Sequence, residues 1–184
     1  MSCRWSPMVE LTDLAEIAFR VAAALLFLAA GWAKLRNPRE FETLVGNYRL
    51  LPGPLVKLAA HMLPGLELLL GAALILGMSR PEPAFAAAAL LLVFAAAMAI
   101  NLWRKRAFID CGCHLGASPE ARLKWSHVVR NLALAAALAI GASAVASLDP
   151  VTLVIGALAG LVLLALDHLF ATLGNVPIRA AVRS

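Results

Sequence analysis

Charge is scarce in this chain of 184 residues, with Asp, Glu, Lys and Arg together making up 15%. A soluble domain carries about 25% charge and about 45–50% apolar residues, whereas here the apolar share is 62% and the mean hydropathy +0.84. No water-soluble fold of this length hides so much apolar surface. Cysteine is sparse too, at three residues, which excludes a disulfide-stapled scaffold. The apolar runs lack the alternation of a transmembrane barrel strand. An internal repeat, a low-complexity tail and a separate soluble domain are also missing. The polar first residues and the long first apolar run do not read as a cleavable signal. Acidic residues are outnumbered 11 to 16 by Lys and Arg, for a formal net charge of +5. Those basic residues sit in the gaps between apolar runs and not in a stripe on a soluble face, so the partner they imply is a lipid bilayer and not nucleic acid.

What the sequence has in quantity is Ala- and Leu-rich runs near the roughly 20 residues that cross a bilayer as a helix. Five spans are expected, at about 14–35, 58–78, 84–103, 125–145 and 151–173. The expected fold class is an all-α integral membrane protein, a single polytopic domain over 1–184 built as a bundle of four to five transmembrane helices. Glu16 and Arg20 are expected near one interface, with Arg20 snorkelling to it, and Lys34 near the other. Only Ser147-Leu148-Asp149-Pro150 separates the last two spans, which predicts a tight antiparallel hairpin. Gly156 and Gly160 make a GxxxG step that permits close helix contact.

Two connections are long enough to carry function. In the first, Asn37-Pro38 starts a segment in which Phe41, Leu44, Val45, Tyr48 and Leu51 share one helical face. This predicts a short amphipathic interfacial helix over about 38–51 that roofs the bundle. The second, over 104–124, holds Cys111-Gly112-Cys113-His114. Two thiols one residue apart close a strained, easily reduced disulfide. Arg104, Lys105 and Arg106 upstream favour thiolate, while Asp110 opposes it. The residues leave three readings open: a thiol–disulfide exchange pair, a carrier of Cu(I), Zn(II) or a small molecule using Cys111, Cys113 and His114, and loop cysteines without a role in a non-redox assembly scaffold. No fourth ligand for a closed structural metal site is identifiable. Cys3, near the terminus, reads as incidental.

Glu67 lies deep in the second span, one turn beyond Pro64. An ionisable group at that depth is costly. It reads either as a proton-handling catalytic residue beside Cys111 and Cys113 or as a protonated carboxyl hydrogen-bonded to a neighbouring helix. His61 reads as interfacial, and Asp167 with His168 as an interfacial pair at the end of the last span. His127 and Asn131 share a face just after the cysteine loop, where they would line a cavity beneath it or sit at the interface. A quinone in the bundle would accept the electrons of a dithiol; no cofactor-binding residue is identifiable.

The chain resembles the MauE family of methylamine-utilisation membrane proteins, within the DoxX-like group, over roughly Phe19 to Leu138. The resemblance rests on Gly31-Trp32-Ala33-Lys34-Leu35, Phe41 through Tyr48-Arg49-Leu50-Leu51-Pro52, Pro64-Gly65-Leu66-Glu67, Asn101, and Cys111-Gly112-Cys113. It departs from the family at His114-Leu115-Gly116, where an aromatic residue and glycine usually follow the second cysteine. The resemblance implies a multi-pass inner-membrane helper in processing, transport or maturation of the methylamine dehydrogenase light (beta) subunit. That subunit is periplasmic, disulfide-rich and carries tryptophan tryptophylquinone, and the helper would act beside a thioredoxin-like protein as a thiol–disulfide oxidoreductase. With five alternating spans, every Lys and Arg except Arg4, Arg20 and Arg80 falls on the side of the cysteine loop. The positive-inside rule assigns that side to the cytoplasm, whereas the implied client is periplasmic.

Overall fold

A computed structural model of the chain describes residues 7–77, 80–106, 123–142 and 150–173, with backbone alone at 7–10, 167, 168 and 170–173. Among the described residues every regular element is a helix: α1 (Pro7–Arg36), α2 (Pro38–Tyr48), α3 (Gly53–Leu76), α4 (Glu82–Trp103), α5 (Trp125–Gly141) and α6 (Pro150–Leu173). Proline marks the first turn of α2, α3 and α4, where its missing N–H costs nothing and its fixed φ suits a helix. Pro38 also ends α1, because the residue before a proline is disfavoured in the helical region. Arg49 stops α2 in a left-handed conformation (φ 48°, ψ 41°), its N–H donating to the Gly46 carbonyl at 3.1 Å.

Among the described residues three helical stretches are long and apolar enough to cross a membrane: Leu11–Arg36, Gly53–Leu76 and Glu82–Trp103. α5 has 17 residues, and α6 contributes a shorter apolar stretch over Pro150–Leu166. The distribution of side chains inverts that of a soluble protein. Leu66, Leu69, Leu76, Val93, Ile140 and Leu158 face outward, while Asp13, Glu16, Arg20, Lys34, Glu67, Asn101 and Asn131 are buried. Apolar side chains outward and polar ones inward is the arrangement that hydrocarbon selects.

α1 is the axis. It packs along α3 and α6 and also touches α2 and α5, while α4 packs on α5 and α3. Small residues set these distances. A Cβ at Gly71 would lie 2.9 Å from the Ala24 carbonyl oxygen, and one at Gly31 2.9 Å from that of Pro64, so α1 and α3 run antiparallel at backbone contact. Pro64 lies within α3, which continues through it to Leu76. The GxxxG step does the same for α6: Gly156 sits against Ile17 and Gly160 against the Ala18 oxygen, at 2.7 Å from a would-be Cβ. The rising order of both pairs makes α6 parallel to α1. Gly141 at the end of α5 sits against Glu16 near the start of α1, which makes α5 antiparallel to α1. α5 and α6 therefore run in opposite directions as expected, but among the described residues the two do not pack closely on each other. Among the described residues α6 packs chiefly on α1, because its glycine face admits the α1 backbone, and α5 packs on α4.

Arg20 lies at one end of the bundle, where it turns inward and does not snorkel outward. It is 3% exposed, and its guanidinium donates to the carbonyl oxygens of Gly77 (2.9 Å) and Arg80 (3.0 Å) and to Glu16 Oε1 (3.0 Å). The Gly77 carbonyl also accepts the Arg80 N–H at 2.9 Å, so Arg20 reaches from α1 to brace the turn that ends α3 instead of reaching for headgroups. This latch closes one end of the bundle. The C-terminal end of α1, all of α2, the start of α3, the end of α4 and the start of α5 form the other.

Replacing Gly160 with Leu should lower the thermal unfolding midpoint in detergent, since overpacking costs about 1–3 kcal/mol. Gly65→Ala, whose Cβ meets nothing within 4 Å, should leave the midpoint unchanged or raise it. Equal effects of the two would contradict the α1–α6 packing.

Candidate functional site

Lys34 occupies the last turn of α1 and Glu67 the middle of α3. They are 7% and 1% exposed, and Lys34 Nζ donates to Glu67 Oε1 in a buried ion pair. Gly31, one turn before Lys34, lets α1 approach Pro64 and Glu67 closely enough for the pair to form. The ammonium also lies 5.0 Å from the ring centroid of Phe41 and 5.1 Å from that of Phe94, so α1, α2, α3 and α4 meet at one cation. Two aromatic faces and a carboxylate replace the water that the ammonium has lost.

Beside this pair lies a cavity of about 210 Å3. α2 roofs it with Phe41, Leu44, Val45 and Tyr48, followed in the chain by Leu50 and Leu51. Ala59 and Leu63 of α3 and Val93, Phe94, Ala97 and Met98 of α4 form its walls. Lys34 and Tyr48 supply the only polar side-chain groups of this lining. A second cavity of about 130 Å3 lies between α1, α5 and α6, with Arg130 at its edge.

Cys111, Cys113, His114 and Cys3 lie outside the described residues, as do the side chains of Asp167 and His168. The stems of the cysteine segment are described. Arg106 donates its N–H to the Asn101 carbonyl at 2.9 Å. Leu123 is buried in one apolar cluster with Tyr48, Ala95, Met98 and Val128. Both stems therefore belong to the end of the bundle that carries α2 and the larger cavity. Among the described residues no three His, Cys, Asp or Glu side chains converge on a metal-sized point.

The remaining candidates separate. His127 accepts the Lys124 backbone N–H on Nδ1 at 3.2 Å and so caps the start of α5. His61 is exposed and its ring Nδ1 donates to the Lys57 carbonyl at 2.8 Å, within its own helix. Asn101 and Asn131 are 0% exposed on the packed pair α4 and α5. Asn101 Nδ2 donates to the Ala97 carbonyl at 3.0 Å and Asn131 Oδ1 accepts from Arg130 at 3.4 Å, leaving Asn101 Oδ1 and Asn131 Nδ2 without partners. The Lys34–Glu67 contact is the feature of this candidate site that the sequence did not disclose, because Lys34 at a helix end reads as an interfacial anchor. A signal existed: Gly31 precedes Lys34 and Pro64 precedes Glu67 by the same three residues.

The family model described as Methylamine utilisation protein MauE matches residues 12–144. The chain belongs to the MauE family. Similar relatives are the methylamine utilization protein MauE of Paracoccus denitrificans, 46% identical over 67% of this chain and 66% of that one, and that of Methylophilus methylotrophus, 46% identical over 61% and 59%. The MauE of Paracoccus versutus is 39% identical over 88% of both chains. The aligned stretch thus spans just under two thirds of the first relative and less of the second. No solved structure matches the chain. Gly31 and Lys34 of α1 meet Pro64 and Glu67 of α3 in a single contact.

Asn101 already leaves one buried polar atom unsatisfied, so Asn101→Leu, of similar volume, should hold the unfolding free energy within about 1 kcal/mol of the parent. Asn101→Asp, which places a carboxylate there, should lower it clearly. A loss with Leu as large as that with Asp would contradict this account of the α4–α5 contact.

Proposed function

We propose that this member of the MauE family is an inner-membrane helper in methylamine utilisation that processes, transports or matures the methylamine dehydrogenase light subunit by thiol–disulfide exchange through Cys111 and Cys113. The observation that carries this reading is that both stems of the Cys-Gly-Cys segment pack at the cavity end of the bundle: Arg106 bonds to Asn101, and Leu123 packs with Tyr48 and Met98, which line the larger cavity. α5 and α6 serve as fourth and fifth spans, and α2 lies in the interface as the roof of the bundle.

In the oxidising direction a thiolate of the client, or of a thioredoxin-like intermediary, attacks the Cys111–Cys113 disulfide. A mixed disulfide forms and one cysteine leaves as thiolate. The client's second thiol then displaces the other cysteine, so the client gains a disulfide while Cys111 and Cys113 retain two electrons and take up two protons. Oxidation of that dithiol by a membrane quinone regenerates the disulfide and gives the quinol. We assign proton exchange in the bundle interior to Glu67, and its contact with Lys34 supports that role.

A periplasmic client requires the cysteine end to be periplasmic. Arg36, Arg39, Arg49, Lys57 and Arg104 to Arg106 lie at this end, and in this topology they bind lipid headgroups, contrary to the positive-inside rule. Labelling intact cells with permeant and impermeant thiol reagents tests the reading. A disulfide that forms and reduces reversibly, reached by the impermeant reagent and lost in Cys111→Ser and Cys113→Ser, is expected. Reaction only from the cytoplasm would overturn the topology. Cysteines that stay reduced, or that bind Cu(I) or Zn(II) stoichiometrically, would overturn the redox mechanism.

A further inference from the structure

We infer that the cavity beneath α2 is a binding site for the headgroup of a lipid-soluble quinone, with the Lys34 ammonium as donor to one ring carbonyl. The inference rests on the dithiol reading for its purpose, since a dithiol needs a two-electron acceptor, but the binding site stands on the cavity itself. An apolar cavity of about 150 Å3 holds one benzene ring, so one of about 210 Å3 takes a single substituted ring. Val93, 60% exposed, and Leu51, 39% exposed, line it from the outer surface, so a ligand enters from the lipid phase and leaves its hydrocarbon tail there.

The polar chemistry of the site selects among lipid-soluble ligands. An ammonium has three donors, and Glu67 takes one of them. A carbonyl oxygen arriving between Phe41 and Phe94, whose rings flank the ammonium at 5.0 and 5.1 Å, meets a charged donor already stripped of water. An acyl chain offers that donor no acceptor. An anionic headgroup would have to share the cation with the Glu67 carboxylate, whereas a neutral carbonyl leaves the pair balanced. When the quinone is bound, two electrons from the dithiol and two protons convert it to the quinol. The thiol protons balance the step, and the carbonyl facing Lys34 becomes a hydroxyl.

Photo-crosslinking with an azido-ubiquinone analogue, in lipid nanodiscs holding the full chain, tests the site. Saturable labelling of the α2 and α4 segments that face the cavity, competed by decylubiquinone, is expected. Ala97→Phe, which fills the cavity without touching the ion pair, should cut that labelling about tenfold or more. The double variant Lys34→Met with Glu67→Gln, which removes the donor without leaving a buried charge unpaired, should weaken it by about tenfold. Cys111→Ser with Cys113→Ser should label like the parent. Labelling unchanged by Ala97→Phe, labelling that decylubiquinone does not compete, or a copurifying phospholipid that it does not displace from the cavity would each overturn the site. If the cavity labels as expected but the cysteines never cycle, the redox reading fails and the site stands. If the cysteines cycle and the cavity does not label, the site fails alone.

Discussion

Taking an ammonium and a carboxylate out of water and into hydrocarbon is costly, and the pair survives only if the surrounding structure holds it in register. The Lys34–Glu67 contact is where this bundle meets that demand. Gly31 brings the backbones of α1 and α3 together, α2 lays Phe41 over the cation, and α4 lays Phe94 beside it. Helices that would otherwise be interchangeable apolar rods are thereby assigned to particular neighbours. Leu and Ala alone would not do this, because in lipid one apolar face is as good as another.

The opposite end of the bundle solves a second polar problem by similar means. Arg20 is buried, yet its guanidinium meets Glu16 and the carbonyl oxygens of Gly77 and Arg80 at the end of α3 and the turn after it. Between the two ends, close packing at Gly71, Gly156 and Gly160 lets α3 and α6 lie directly on α1. The result is a helical hub with charged fastenings near both ends and small-residue seams between them. The larger cavity opens where the seam gives way to α2, which is too short to span and lies across the ends of its neighbours.

The helical class and the apolar runs were legible in the sequence, because periodicity and length report the local environment of each segment. The face of Phe41, Leu44, Val45 and Tyr48 was legible for the same reason, and those residues line the cavity. Partner choice was not legible. Lys34 reads as an anchor and Arg20 as a snorkelling residue, since one helix viewed alone does not show that a carboxylate 33 residues away or a carbonyl 57 residues away will be opposite it. Likewise a short connection suggests that α5 and α6 pair, while the glycines that send α6 to α1 matter only once the α1 backbone is there to receive them. Glu67 was recognisable as a costly group in the membrane, but not the cation that makes it tolerable.

The chemistry proposed for Cys111 and Cys113 depends on this frame, because the stems of their segment pack against Tyr48 and Met98, next to the cavity wall. The most direct test of the frame is a double-mutant cycle on Lys34→Met and Glu67→Gln, read as unfolding free energy in detergent. If the pair acts as one unit, each single change should cost about 3–5 kcal/mol and the double variant clearly less than the sum. A double variant whose cost equals the sum of the singles would show that the two charges do not hold the bundle together.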